Sequence, residues 1–485
     1  MNISNQLERS TIQAIGMALA GGILGYGLLG PPLTGVERDI QVLYSVFFAT
    51  VLLWVTKPVP YMISSLLCLI LLHMSNVTET FADAAVGFTS TLVFFFILLL
   101  LIGNAIANVG LVDRIIGWLI HATSTPESSM RRLVAATLLL TFVMPSGLAR
   151  TVTFIPVIDN MNNTFGQKSD SPFRRLGYYV IGHLNSVGSM TLMTSGGMAI
   201  VTAEIINTRV QPFTWVEWAL YMIPPVVAIY LTTIAVAAYF HDISNVSISK
   251  REIEPLPGQH TEKSESLTGD QKIVVLTFTG TICLWIVGSF VNLPAIVPAM
   301  IMVTLFSLPK VRIITAEDIR NLNWNLIFLI GTMLSLAEII RSSGSVESLV
   351  EAFMAGSTLD QGMLAVVVLL CFAAAVRVAF SGTAPVVVIL LPIFLQVIES
   401  FEIDPLFFSL SLVMILSSTV LFPFNHPSVL LAYEEGPLSV IDIIFLGFLT
   451  LMVAVLAVII AWYVYWPSIE AVFRPIISTS QSVAS

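Results

Sequence analysis

Four short clusters of small polar residues interrupt an otherwise apolar chain. They read Pro145-Ser146-Gly147-Leu148-Ala149-Arg150-Thr151, Thr194-Ser195-Gly196-Gly197-Met198, Ser381-Gly382-Thr383-Ala384-Pro385 and Pro423-Phe424-Asn425-His426-Pro427-Ser428. Glycine permits unusual backbone angles, and hydroxyls and amides hydrogen-bond freed backbone or a ligand. This is binding chemistry rather than bond-making chemistry. Where a helix breaks in apolar surroundings, carbonyls ending the first half suit a cation such as Na+. Free N–H groups starting the second half suit an anion. The candidate contacts to a small anionic substrate are Ser146, Gly147, Arg150, Thr194, Ser195, Arg377, Ser381, Gly382, Thr383, Asn425, His426 and Pro427. The candidate Na+ ligands are Ser146, Gly147, Gly196, Gly197, Ser381, Thr383 and Asn425.

Arg150 stands four residues after Ser146, and Arg377 four residues before Ser381. Arginine at membrane depth is expensive and usually functional, and a guanidinium fork suits carboxylate or sulfate. Arg150 reads as an anion ligand or as a fixed cation in place of one Na+. The alternative is a structural pair with a carboxylate such as Asp159 or with free carbonyls. Arg377 reads as a second anion ligand, or as a side chain that snorkels or caps carbonyls of its own segment. His426 reads as a substrate contact and proton-coupling candidate, or as a histidine bonded to backbone at the break. His183, ahead of Asn185 and Ser186, reads as a satisfied core histidine. Glu204 and Glu338 read as solvated ends of spans. Cys68, Cys283 and Cys371 are far apart with no CxxC spacing, and read as small buried hydrophobes.

The elements that must hold these clusters are membrane helices. Of 485 residues, 56% are hydrophobic and 11% charged, with a mean hydropathy of +0.90. A soluble chain carries roughly 25% charged residues. With 21 Lys and Arg against 30 Asp and Glu, no basic face exists for nucleic acid. Neither HExxH, a Walker A motif nor paired intramembrane Asp occurs, so no enzyme or ATP-driven pump is expected. The first apolar run, 11–29, follows a polar head without a cleavage pattern and reads as a retained span.

The one long polar stretch, 241–271, reads as a cytoplasmic linker between halves 1–240 and 272–485. The halves share landmarks at nearly one offset: 234 between Pro60 and Pro294, 235 between Ser146 and Ser381, and 236 between Pro156 and Pro392. That pattern indicates a two-fold internal repeat. Arg131, Arg132, Lys168, Arg174 and Arg175 gather at the base of the first broken pair. Asp360, Glu399, Glu402 and Asp404 gather at the second. Basic residues favour the cytoplasmic side, so the repeats are expected in opposite orientation. The expected fold is an all-α polytopic membrane protein. It has two inverted-topology repeats, about eleven transmembrane helices and two re-entrant hairpins. Its N-terminus lies in the cytoplasm and its C-terminus outside, in the inner (plasma) membrane.

This arrangement resembles the divalent anion/sodium symporter family of the ion transporter superfamily, from Trp54-Val55-Thr56-Lys57-Pro58-Val59-Pro60 to the last span. Family members carry Ser-Asn-Thr at each hairpin tip, about ten residues before a Pro. Here Ser146 stands ten before Pro156 and Ser381 eleven before Pro392. The second tip has Gly382 where the family has Asn, and the first keeps Ser146 alone. The resemblance implies sodium-coupled, elevator-type uptake of dicarboxylates, tricarboxylates or sulfate by a homodimer, with no other cofactor. It implies scaffold helices at 11–85 and 273–320. The moving parts would be a hairpin and interrupted helix at 128–207 and a second pair at 360–434. The alternative on the residues is a Na+-independent or H+-coupled anion exchanger using Arg150 as a fixed cation. A membrane enzyme or a channel is the further alternative.

Overall fold

The computed structural model describes residues 3–32, 37–111, 114, 125–142, 144, 146–241, 267–291, 293–343, 362–380, 382–399, 401 and 403–472. Pro145, Ser381, Asp360, Glu402 and residues 242–266 of the linker lie outside the described residues. All regular structure among the described residues is helical. In chain order the helices are α1 (Ile3–Leu29), α2 (Arg38–Thr56), α3 (Tyr61–Met74), α4 (Phe81–Ala84), α5 (Thr91–Asn108) and α6 (Pro126–Leu140). Next come α7 (Gly147–Thr164), α8 (Pro172–Tyr179), α9 (Asn185–Gly188), α10 (Gly197–Arg209), α11 (Trp215–His241), α12 (Gly269–Phe290) and α13 (Ile296–Ser307). The last are α14 (Ala316–Arg320), α15 (Trp324–Ser342), α16 (Gly362–Val378), α17 (Thr383–Glu399), α18 (Pro405–Ser418), α19 (Pro427–Glu435) and α20 (Val440–Ile460).

Local chemistry explains the boundaries. Helix α2 stops where Lys57 turns left-handed at φ 50° and donates its N–H to Leu53 O, and Pro58 bars continuation. Helices α8 and α18 start with Ser171 and Asp404 as N-caps followed by proline, whose missing N–H is harmless there. Six of the described helices are long and apolar enough to cross a membrane, and six further apolar ones are 10–17 residues long. Cys68 is buried, whereas Cys283 and Cys371 are exposed, so the expectation of burial fails for the latter two. They sit on long apolar helices whose outer faces suit lipid.

The compact units are not the two chain halves. One comprises residues 1–97, 323–369 and 384–403; the other comprises 98–322, 370–383 and 404–485. Each draws on both halves. The segment 11–85 falls in the first and 273–320 in the second. Within the first, the turn Val86–Thr89 packs on α15 so closely that a Cβ on Gly87 would lie 2.3 Å from Gly331 O. Within the second, both interrupted helices run through the interior. The first passes from α8 through a wide π-turn at Val180–Leu184 to α9. It leaves helical geometry at Ser189 and resumes at Gly197. The second leaves at Thr419, makes a short turn at Pro423–Asn425, and resumes at Pro427. Both breaks start several residues earlier than the clusters that mark them in the sequence.

Candidate functional site

The first hairpin is α6, a tip at 141–146, and α7. Ser146 caps α7, its Oγ accepting from the Ala149 N–H at 3.3 Å. The carbonyl of Gly147 accepts from Asn185 Nδ2 at 2.7 Å. Asn185 Nδ2 also donates to Thr151 Oγ1 at 3.0 Å, and the Thr151 hydroxyl donates to Ile181 O inside the π-turn at 2.7 Å. The tip is thus stitched to the first interrupted helix, and the wide turn supplies a carbonyl for the stitch.

Arg150 is fully buried. Its Nε donates to Asn185 Oδ1 at 2.6 Å, and its Nη1 donates to Met144 O just beyond the first arm. Its Nη2 donates to Ser189 Oγ at 2.5 Å and to Asn185 O at 3.4 Å. Asp159, the carboxylate considered as its partner, is bonded instead to Arg174. Arg150 therefore makes the contacts of the carbonyl-pairing alternative, with Asn185 as a further acceptor.

The second break repeats this device with different residues. Arg377 is fully buried at the end of α16. It donates to Phe380 O at 2.7 Å, Leu416 O at 3.2 Å and Asn425 O at 2.8 Å. Met144 and Phe380, whose carbonyls meet the two arginines, are 236 residues apart, the offset already seen between the prolines. Asn425 is saturated. Its Oδ1 accepts from the N–H groups of Leu421 (3.1 Å) and Phe422 (2.9 Å). Its Nδ2 donates to Val378 O (2.7 Å) and Phe380 O (3.1 Å). In an apolar interior each of these carbonyls would be costly unpaired.

The loop 425–428 touches both hairpins. Asn425 holds the second, and three residues later Ser428 faces the first. A Cβ built on Gly147 would lie 3.5 Å from Ser428 Oγ, 3.5 Å from Ser189 Oγ and 3.7 Å from Arg150 Nη2. Two hydroxyls and a guanidinium thus meet around Gly147, where α7 and α19 begin. His426, half-buried, caps α19, with Nδ1 accepting from the Ser428 N–H at 3.2 Å. Pro427, which has no N–H, occupies the first helical position and is exposed.

The remaining candidates are placed as follows. The Thr194 hydroxyl accepts from Trp215 Nε1 at 3.4 Å, and Trp215 stacks on Trp285. Ser195 is bonded to Thr191 and to the Leu192 N–H. Gly196 approaches Ser189 so closely that a Cβ would meet its carbonyl at 3.0 Å, and Gly197 opens α10. Gly382 and Thr383 start the second arm of the second hairpin, while Ser381 lies outside the described residues. The buried hydroxyls of Ser186, Thr383, Ser418 and Ser428 are among those of the described residues that have no hydrogen-bond partner. No cluster of three or more His, Cys, Asp or Glu occurs there. Three residues absent from the sequence candidates join this cluster of contacts: Asn185, Ser189 and Ser428. The available signal was a polar pair, Asn185-Ser186, inside an apolar run one to two turns before a break.

The model of the sodium:sulfate symporter transmembrane region matches residues 15–472. A sodium-dependent dicarboxylate transporter, SdcS of Staphylococcus saprophyticus, is 23% identical over 448 residues, covering 86% of this chain and 84% of that one. A putative malate transporter, YflS of Bacillus subtilis, is 22% identical over 329 residues, covering 65% and 67%. Among solved structures, the YdaH transporter of Alcanivorax borkumensis aligns with a TM-score of 0.54 at 13% identity, over 94% of this chain and 98% of that one.

Proposed function

The chain belongs to the sodium:sulfate symporter family, and from that membership we propose that it is a secondary active transporter of small dianions, coupled to Na+. Dicarboxylates are the first cargo to test, because two relatives carry dicarboxylate or malate in their names. The observation that carries the reading is the loop 425–428. Asn425 is bonded to the second hairpin while Ser428 faces Gly147 of the first. One loop thereby gathers two helix N-termini, a guanidinium edge and the unpartnered Ser428 hydroxyl, which is chemistry for an anion. Ser428 and Thr383 are the hydroxyls assigned to cargo. Arg150, Arg377 and Asn425 hold the breaks in shape. The reading includes two inverted repeats, about eleven spans, elevator motion of the hairpins, a homodimer, and a plasma-membrane location with the N-terminus inside.

Uptake of radiolabelled malate into proteoliposomes tests it. Accumulation against a concentration gradient, driven by an inward Na+ gradient, is the expected result. Absence of uptake across a panel of dicarboxylates, tricarboxylates and sulfate refutes transport.

One observation favours a second reading of the coupling. Both arginines donate into backbone carbonyls at the two breaks, the same kind of oxygen that would ligate Na+. Fixed guanidinium groups there would serve as built-in cations, and anion exchange without Na+ would follow. Malate counterflow that persists when Na+ is replaced by choline selects this reading over symport.

A further inference from the structure

We infer that Arg174, far from the cargo site, is a positioning residue that sets the spacing of the two helix starts at the site. The activity part of this inference rests on the transport reading above.

Helices α7 and α19 both begin at the site, where Gly147 faces Ser428. Their far ends are tied by one side chain. Arg174 Nε donates to Asp159 Oδ1 at 2.6 Å and Nη2 to Asp159 Oδ2 at 3.3 Å, a two-pronged grip on α7. The same Nη2 donates to Glu435 O, the last residue of α19, at 2.9 Å. Nη1 donates to Ser169 O at 3.0 Å, and the guanidinium lies 4.8 Å over the Tyr178 ring. The Tyr178 hydroxyl returns to Asp159 at 3.2 Å. A cation at a helix C-terminus is well placed electrostatically.

Each tie is separated from the site by a run of helix, α7 passing through Pro156 on the way. Asp159 is twelve residues beyond Gly147, about 18 Å along the axis, and α19 spans about 13 Å. Close contacts surround the tie. A Cβ on Gly436 would lie 2.2 Å from Tyr178 Cδ1, and one on Gly177 would lie 2.9 Å from Ile158 Cγ2. One on Gly182 would lie 3.2 Å from Ala432 Cβ. Close-packed interiors transmit displacement rather than absorb it. Releasing the far ends therefore shifts the first turn of α19 against that of α7. Lysine cannot substitute fully, because an ammonium has no planar fork to hold Asp159 and Glu435 O together. The neighbouring Arg175 pairs with Asp442 on α20 at 3.0 Å, and so serves as the comparison position.

The test uses the full chain in proteoliposomes. Arg174→Gln and Asp159→Asn are expected to raise the KM for malate roughly tenfold, with Vmax per reconstituted protein within about twofold. Arg174→Lys falls between them and the parent. The double variant is no worse than either single, since both changes break one unit. Arg175→Gln leaves KM near the parent value. A second readout needs no transport: disulfide formation between Gly147→Cys and Ser428→Cys, in a background with Cys68, Cys283 and Cys371 replaced. Cross-linking is expected to be at least about threefold slower with Arg174→Gln, because disulfide geometry tolerates little displacement. An unchanged cross-linking rate overturns the inference, as does a loss of uptake that tracks only the amount of folded protein. If the parent transports no anion, the transport reading fails by itself, and the cross-linking rate still decides the role of Arg174.

Discussion

Replacing Arg150 by methionine separates two roles that look alike in an uptake assay. The side chain is fully buried, and methionine fills a similar apolar volume. Four acceptors lose a donor: Met144 O, Asn185 Oδ1, Asn185 O and Ser189 Oγ. Two of these compensate each other, because the Ser189 hydroxyl donates to Asn185 O at 3.0 Å in any case. Met144 O and Asn185 Oδ1 are left bare. An unsatisfied buried acceptor costs about 1–3 kcal/mol, so the loss is roughly 2–6 kcal/mol. Removing a charge that no longer needs a buried home offsets part of it, which puts the net near 3 kcal/mol. Arg150→Lys keeps the charge and one or two of the bonds, and should lose about half as much. Melting of the purified protein in detergent, without anion, measures this directly. Malate binding by scintillation proximity is read on the same samples. A latch predicts Arg > Lys > Met in stability, with binding falling in the same order. If Arg150→Met melts with the parent and only binding is lost, the guanidinium is a cargo ligand and the latch argument is wrong.

Three further outcomes follow from the same geometry. Gly436→Ala should destabilise the protein by about 1–3 kcal/mol, because its methyl group overlaps the buried Tyr178 ring. A melting temperature equal to the parent's would contradict that packing. Ser428→Ala removes a buried hydroxyl without a partner among the described residues, so it should leave stability of the empty protein unchanged or up to about 1 kcal/mol higher. It should nonetheless weaken malate uptake, and unchanged KM removes Ser428 from the cargo site. His426→Ala deletes the N-cap of α19 and should cost about 0.5–2 kcal/mol, whereas His426→Asn, a good cap, should recover most of it. Equal melting of the two variants would show that the cap carries no weight.

Much of the architecture was legible because it depends on local composition. Long apolar runs, Pro after Ser or Asp, and Gly-Ser clusters mark spans, helix starts and breaks without reference to the rest of the chain. Ser146, Gly147, Gly196 and Asn425 were recognisable for that reason. Other assignments depend on distant partners. Asn185 shows its role only when Gly147 O, 38 residues away, is placed beside its amide. Ser428 becomes a candidate only when Gly147 is brought against it from the other half of the chain. Arg174 reads as a topology signal in the sequence, yet its grip on Asp159 and Glu435 O is a matter of three helices meeting.

The arginines mark where sequence reasoning ends. Their cost in an apolar chain is a property of residue type and surroundings, so the sequence alone was enough to single out Arg150 and Arg377 as residues needing a special partner. Which partner depends on where freed carbonyls and amides come to lie, and those positions exist only once the helices have broken and packed. Burial cost is local and additive enough to be read along the chain. Hydrogen-bond satisfaction also needs partners 35 to 48 positions away, and only the tertiary structure decides those.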